Sequence, residues 1–183
     1  MYLGKFIKNL DKKYHKIYFS GIAFDSRKVK KDNIFFAIKG TKLNGNKYVF
    51  DAINRGAKII ISEKHIELGN KNIIFLKDNN PRKLLSETSF KLLKKNPKYL
   101  VGVTGTNGKS SVADFYYQIL NLNKKKVASI GTIGVQSKNK KEEIKNTTLN
   151  PIELSEIINN LTLKKINHII MEASSHGLKQ NRL

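Results

Sequence analysis

The chain has 183 residues, with 35 lysines and arginines against 14 acidic residues, a formal net charge of +21 and no cysteine. That length can bury a core in one large domain or two small ones, and the lack of cysteine excludes a disulfide framework, a thiolate metal site and a Cys nucleophile. The longest apolar runs, such as 58–62 and 168–171, are too short to span a bilayer.

Residues 1–10 hold no sustained apolar core of the signal-peptide kind, so the cytosol is the expected compartment. The charge raises a nucleic-acid hypothesis. Against it, Arg27, Arg55, Arg82 and Arg182 are the only arginines, and the lysines are scattered along the whole chain. Arginine is the side chain that forks onto bases and phosphates. Runs such as Lys124-Lys125-Lys126 and residues 138–141 therefore read as solvated surface, and no nucleic-acid partner is expected.

In chain order, 34–38, 59–62 and 73–76 read as short buried strands. A helical stretch over 48–55 lies between the first two, with Gly56 as its stop. Asn80-Pro81 is a good N-cap and first-turn pair, opening a helix that carries Leu84, Leu85, Phe90, Leu92 and Leu93. Asn96-Pro97 ends that helix and marks a hinge. The predicted domains are 1–97 and 98–183.

The second half opens on the most informative run. A short apolar strand, 99–103, enters Thr104-Gly105-Thr106-Asn107-Gly108-Lys109-Ser110-Ser111 and leaves as a helix to about Leu122. Its apolar positions Val112, Phe115, Tyr116, Ile119 and Leu120 fall at helical spacing. Glycines let backbone N–H groups turn inward, the helix N-terminus adds its positive end, and Lys109 reaches outer phosphates. Ser110 would place a hydroxyl on an accompanying magnesium ion. Gly-Lys-Ser alone is a common accident in a lysine-rich chain, and Val103 stands where the usual phosphate-loop pattern has its first glycine. The strand before and the helix after carry the reading: this half binds a nucleoside triphosphate.

A strand at 127–130 follows, then a basic polar stretch, 137–145, expected as a surface hairpin or loop. Asn150-Pro151-Ile152-Glu153 has the form of a capping box and opens a helix through Leu161. The strand 166–171 delivers Glu172 at its carboxyl edge. Strands alternating with helices imply an α/β fold with a mainly parallel sheet, whose ligands sit beyond the carboxyl ends of the strands. A carboxylate there, facing a phosphate loop, suits a magnesium ligand. Ser174, Ser175 and His176 do not make a Ser/His hydrolase by adjacency, and no Gly-x-Ser-x-Gly elbow is present. His15, His65 and His168 share no metal-binding spacing, so no zinc site is expected.

The loop Gly105-Thr106-Asn107-Gly108-Lys109-Ser110-Ser111 resembles the ATP loop of the Mur ligases. Three more stretches resemble the MurE type within that family. They are Asp25-Ser26-Arg27-Lys28-Val29 with Asn33 to Ala37 and Gly40 to Gly45, then Asn146-Thr147-Thr148, then Glu172 to Arg182. The resemblance implies an ATP- and Mg2+-dependent amide ligase of peptidoglycan synthesis. Such an enzyme adds a diamino acid, meso-diaminopimelate or lysine, to UDP-MurNAc-L-Ala-D-Glu through an acyl phosphate. Carried over by position, Lys109 would hold the outer phosphates, and Ser110 and Glu172 would serve magnesium. Phe24, Ser26, Thr41, Lys42 and Leu43 would hold the uridine end. Asn146, Thr147, Thr148, Ser174, Gln180 and Arg182 would hold the muramoyl-dipeptide end. His176 receives no role.

The resemblance also implies a small uridine-binding domain, a central ATP-binding domain and a third that selects the amino acid. This chain matches the first and part of the second, so it is expected to be unable to ligate alone; it is also expected to be a monomer. A lysine that such enzymes carbamylate is expected beyond Leu183. The other readings are a related ligase such as a folylpolyglutamate synthase, and a non-catalytic UDP-sugar- and nucleotide-binding relic.

Overall fold

The computed structural model describes residues 1–8, 10–40, 43–67, 72–132, 134–138, 140–142 and 149–182. The chain forms two compact units, Met1–Lys91 and Leu92–Leu183.

The first unit is built on a parallel sheet in the order β1-β2-β3-β4, with strands Gly21–Ala23, Asn33–Ala37, Ala57–Ser62 and Ile74–Lys77. Ile34, Phe35, Phe36, Ile59, Ile60 and Ile61 are all fully buried. Consecutive apolar residues, rather than alternating ones, are what a parallel strand covered on both faces requires. Helix α1, Val49–Asn54, buries Val49 and Ala52 and ends where Gly56 turns to a φ of 103°. Helix α2, Pro81–Lys91, starts as its sequence signals indicate: the Asn80 side chain accepts the Lys83 N–H at 3.0 Å. It stops earlier than the apolar pattern through Leu93 implies. The Lys94 N–H donates to the Asn159 side chain at 3.0 Å instead of continuing the helical ladder. Three-residue β1 carries too little pattern to be found from sequence.

The second unit has a mixed sheet in the order β5-β9-β6-β7-β8. The strands are Tyr99–Val103 (β5), Val127–Gly131 (β6), Gly134–Ser137 (β7), Lys140–Glu142 (β8) and His168–Glu172 (β9). β5, β9 and β6 run parallel, and β7 and β8 fold back antiparallel. β7 and β8 pair antiparallel where a surface hairpin or loop is expected over 137–145, and of that stretch 139 and 143–145 lie outside the described residues. Helix α3 spans Lys109–Leu122, α4 spans Pro151–Leu163 and α5 spans Ser175–Lys179. The Asn150 side chain caps α4 by accepting the Glu153 N–H at 3.0 Å.

The helical spacing of the apolar residues in α3 does not by itself say which side meets the sheet, because apolar residues nearly encircle this helix. The sheet takes Ala113 and Tyr117 of α3, whereas Val112, Phe115 and Ile119 are 50%, 62% and 58% exposed. Among the described residues, no helix is long and apolar enough to cross a membrane.

Candidate functional site

β9 lies between β5 and β6, so its carboxyl end sits between the loop leaving β5 and the turn leaving β6. Val103 and Glu172 are register partners, and the Ala173 N–H donates to the Val103 carbonyl at 2.7 Å. The phosphate-loop candidate and the carboxylate candidate, 62 residues apart in sequence, therefore meet at one sheet edge.

In the loop, Gly105 and Gly108 have φ values of 150° and 79°. Both lie in the region that side chains avoid, and a Cβ on Gly108 would meet nothing within 4 Å. Glycine is required there for backbone direction, and the open space lets another molecule approach the main chain. No side chain caps the N-terminus of α3, whose N-cap is Gly108. The exposed amides of that first turn carry the positive end of the helix. The Lys109 ammonium donates to the carbonyls of Gly105 at 2.7 Å and Thr106 at 3.2 Å, keeping a positive charge over the loop.

Half-buried Glu172 is held from two sides. Ser110 Oγ donates to its Oε2 at 3.0 Å. The Thr132 N–H donates to Oε1 at 3.1 Å, and Thr132 Oγ1 donates to Oε2 at 3.2 Å. These donors fit magnesium: hard oxygen ligands from a carboxylate and a hydroxyl, 3.0 Å apart. Neighbouring oxygens around an octahedral ion with 2.0–2.1 Å bonds stand about 2.9 Å apart. Among the described residues there is no group of three or more His, Cys, Asp or Glu side chains that would make a denser metal cage. A small ion that keeps most of its waters is the kind such a pair can take.

Sequence reasoning passed over Thr132 and the glycine before it. Their one advance signal is position, since a turn leaving a parallel strand at its carboxyl end belongs to the ligand edge.

The remaining candidates are dispersed. Ser174 caps α5, its Oγ accepting the Gly177 N–H at 3.0 Å. Gln180 Nε2 and His176 Nε2 lie 2.6 Å apart, so the histidine without an assigned role is a partner of a predicted substrate residue. The Arg182 N–H closes the segment onto the Gly177 carbonyl at 3.0 Å. In the first unit, Phe24 is half-buried, Ser26 is buried and Leu43 is 65% exposed. The Ser26 hydroxyl bonds to Asp51 and, with Arg55, holds that carboxyl below its ordinary value. Thr41, Lys42, Asn146, Thr147 and Thr148 lie outside the described residues.

Comparison with known proteins supplies a family for this architecture. A profile described as the Mur ligase middle domain matches residues 103–183, and one described as the Mur ligase family, catalytic domain, matches 18–89. The UDP-N-acetylmuramoyl-L-alanyl-D-glutamate–2,6-diaminopimelate ligase of Rickettsia prowazekii (strain Madrid E) is 40% identical over 175 residues, covering 93% of this chain and 36% of that protein. The enzyme of the same name from Chelativorans sp. (strain BNC1) is 40% identical over 164 residues, covering 90% and 34%. A solved structure of such a ligase superposes with a TM-score of 0.80 at 27% identity, over 96% of this chain and 36% of its own. A MurF ligase from Thermotoga maritima in complex with ADP shares the fold, at a TM-score of 0.56 and 21% identity over 84% of this chain and 32% of its own. The chain spans about a third of the length of the relatives it matches. With one profile matching within each unit and both kinds of comparison agreeing, the chain belongs to the Mur ligase family.

Proposed function

We propose that this chain is the uridine- and ATP-binding portion of a cytoplasmic ligase of peptidoglycan synthesis. That ligase adds meso-diaminopimelate to UDP-MurNAc-L-Ala-D-Glu at the expense of ATP. The observation that carries the proposal is the meeting of Lys109, Ser110 and Glu172 at one sheet edge, in a chain about 40% identical to enzymes of that name. The first unit is read as the uridine end of the substrate site, and the second as the nucleotide site. The diamino acid is assigned from the relatives' names.

The chemistry asks the protein to bring two anions together, a substrate carboxylate and the terminal phosphate of ATP. The loop amides and the Lys109 ammonium offset that repulsion and orient the phosphates. Magnesium, when bound, would neutralise further phosphate charge, held by Ser110 and Glu172. Asn146, Thr147, Thr148, Ser174, Gln180 and Arg182 are proposed to orient the muramoyl-dipeptide end, with Arg182 a natural fork for a carboxylate. Ligation is expected from a polypeptide of the relatives' length that contains this one, acting as a monomer.

Calorimetric titration of the chain and of Lys109→Ala tests the division of roles. The parent should bind both Mg-ATP and UDP-MurNAc-L-Ala-D-Glu. Lys109→Ala should lower ATP affinity by about tenfold or more while leaving UDP-sugar affinity within about twofold, because among the described residues the lysine bonds to the phosphate-loop carbonyls. Loss of both affinities in a folded variant would refute the division. ATP binding without UDP-sugar binding by the parent would favour another ligase of the superfamily.

A further inference from the structure

β6 and β7 pair antiparallel, with Gly131 opposite Gly134, and Thr132 follows Gly131 at the end of β6. Gly131 and Thr132 abut the tip of β9. A Cβ built on Gly131 would overlap Glu172 Oε1 and would lie 2.7 Å from its Cδ and 2.8 Å from its Cγ. Gly131 has no left-handed φ, so its backbone would accept an alanine. What excludes a side chain there is the carboxylate of Glu172.

We propose that the Gly131-Thr132 turn positions Glu172 for its metal: Gly131 gives the carboxylate room, and the Thr132 amide fixes Oε1 so that Oε2 is presented to the ion. This rests on the magnesium role proposed for Glu172.

The donors on the two oxygens differ in kind. Oε1 is held by a backbone N–H at 3.1 Å, which cannot rotate away without moving the hairpin. Oε2 receives hydroxyls from Ser110 at 3.0 Å and Thr132 at 3.2 Å. Hydroxyl protons turn freely, and their oxygens can accept or ligate as well as donate. One carboxylate oxygen is therefore anchored, while the other faces groups able to reorganise around a cation. Groups that orient a metal ligand typically change metal affinity by about 10–100-fold when removed, without touching the metal themselves.

The test measures metal affinity directly, with Mn2+ as a paramagnetic probe for magnesium. Loss of the free Mn2+ signal is followed with the chain and ATP, alongside ATP titrations without metal. Glu172→Gln, Gly131→Ala, Thr132→Val and Thr132→Ser are compared with the parent, and circular dichroism checks each fold. Gly131→Ala should weaken Mn2+ binding to the ATP complex by about tenfold or more, with metal-free ATP affinity within about twofold. Thr132→Val, which keeps the branched shape and the amide but loses the hydroxyl, should weaken it less, by about threefold, and Thr132→Ser should restore it. If Gly131→Ala fails to fold, the Thr132 pair carries the test. If Glu172→Gln weakens Mn2+ binding while the turn variants do not, the positioning role is overturned and the metal role stands. If Glu172→Gln has no effect, or the parent shows no Mn2+-dependent ATP binding, both are overturned.

Discussion

Single side chains in this protein act through where the backbone puts them. Lys109 and Ser110 are consecutive at the start of α3, yet one faces the loop carbonyls and the other the Glu172 carboxylate. In the proposed site, that divergence would let one helical turn serve both phosphate and metal. In the first unit, Asp25 plays a comparable local role. Its side chain accepts the Arg27 N–H at 3.0 Å, and the Arg27 guanidinium grips it at 3.0 Å and 2.8 Å. The guanidinium is the main cause of a carboxyl held below its ordinary value. A depressed folded-state pKa contributes stability that is complete above the unfolded value of about 3.9 and is lost as pH falls through the folded one. Arg27→Ala should therefore lower the urea midpoint slightly and evenly at neutral pH. Below about pH 4 the gap between variant and parent should close. The effect stays small because the arginine is largely exposed. Urea melts at a series of pH values check this, and a pH-independent gap would show that Asp25 is not the partner that matters.

Among the elements, α3 shows both the reach and the limit of reading structure from sequence. Its start, its end near Leu122 and its attachment to the phosphate loop were legible, because glycine positions and apolar spacing are local signals. Its orientation was not, since Val112, Ala113, Phe115, Tyr116, Tyr117, Ile119 and Leu120 offer apolar surface in almost every direction. The sheet resolves the ambiguity by taking Ala113 and Tyr117. Tyr117→Ala should cost about 3 kcal/mol, as for other large buried aromatic side chains. Phe115→Ala, although it deletes a similar ring, should stay within about 0.5 kcal/mol. Urea unfolding of the two variants decides, and the reverse order would restore the stripe inferred from spacing. The same contrast explains the candidate site. The strand carrying Glu172 and the phosphate loop each announced themselves locally. The hydrogen bonds from Thr132, 40 residues from Glu172, depend on strand order, which no local pattern encodes. Ser174 is expected as a substrate residue from its place in the family motif, whereas its capping of α5 appears only in three dimensions.

At the scale of the whole molecule, charge is the property that fold and site leave unexplained. Ion pairs such as Lys13–Asp11, Arg27–Asp25 and Arg55–Asp51 join residues two to four apart and relieve charge only locally. Exposed pairs of this kind contribute little to stability. They are set against a net charge of +21 on 183 residues, which repels itself more in the compact state than in the expanded one. Two opposing effects of salt follow: it weakens the pairs, and it screens the repulsion. Repulsion involves many charges over long distances, so it dominates while the screening length is long. That length falls from about 30 Å at 0.01 M to about 8 Å at physiological ionic strength. Raising sodium chloride over this range should therefore raise the midpoint of urea unfolding, urea being chosen because it adds no ions of its own. A falling midpoint would mean that the pairs outweigh the excess. The same screening separates two kinds of binding. Association with RNA through scattered lysines should weaken steeply over this range. Nucleotide held by the Gly105–Ser111 loop should persist, because directed amides and a lysine anchored at 2.7 Å act at short range.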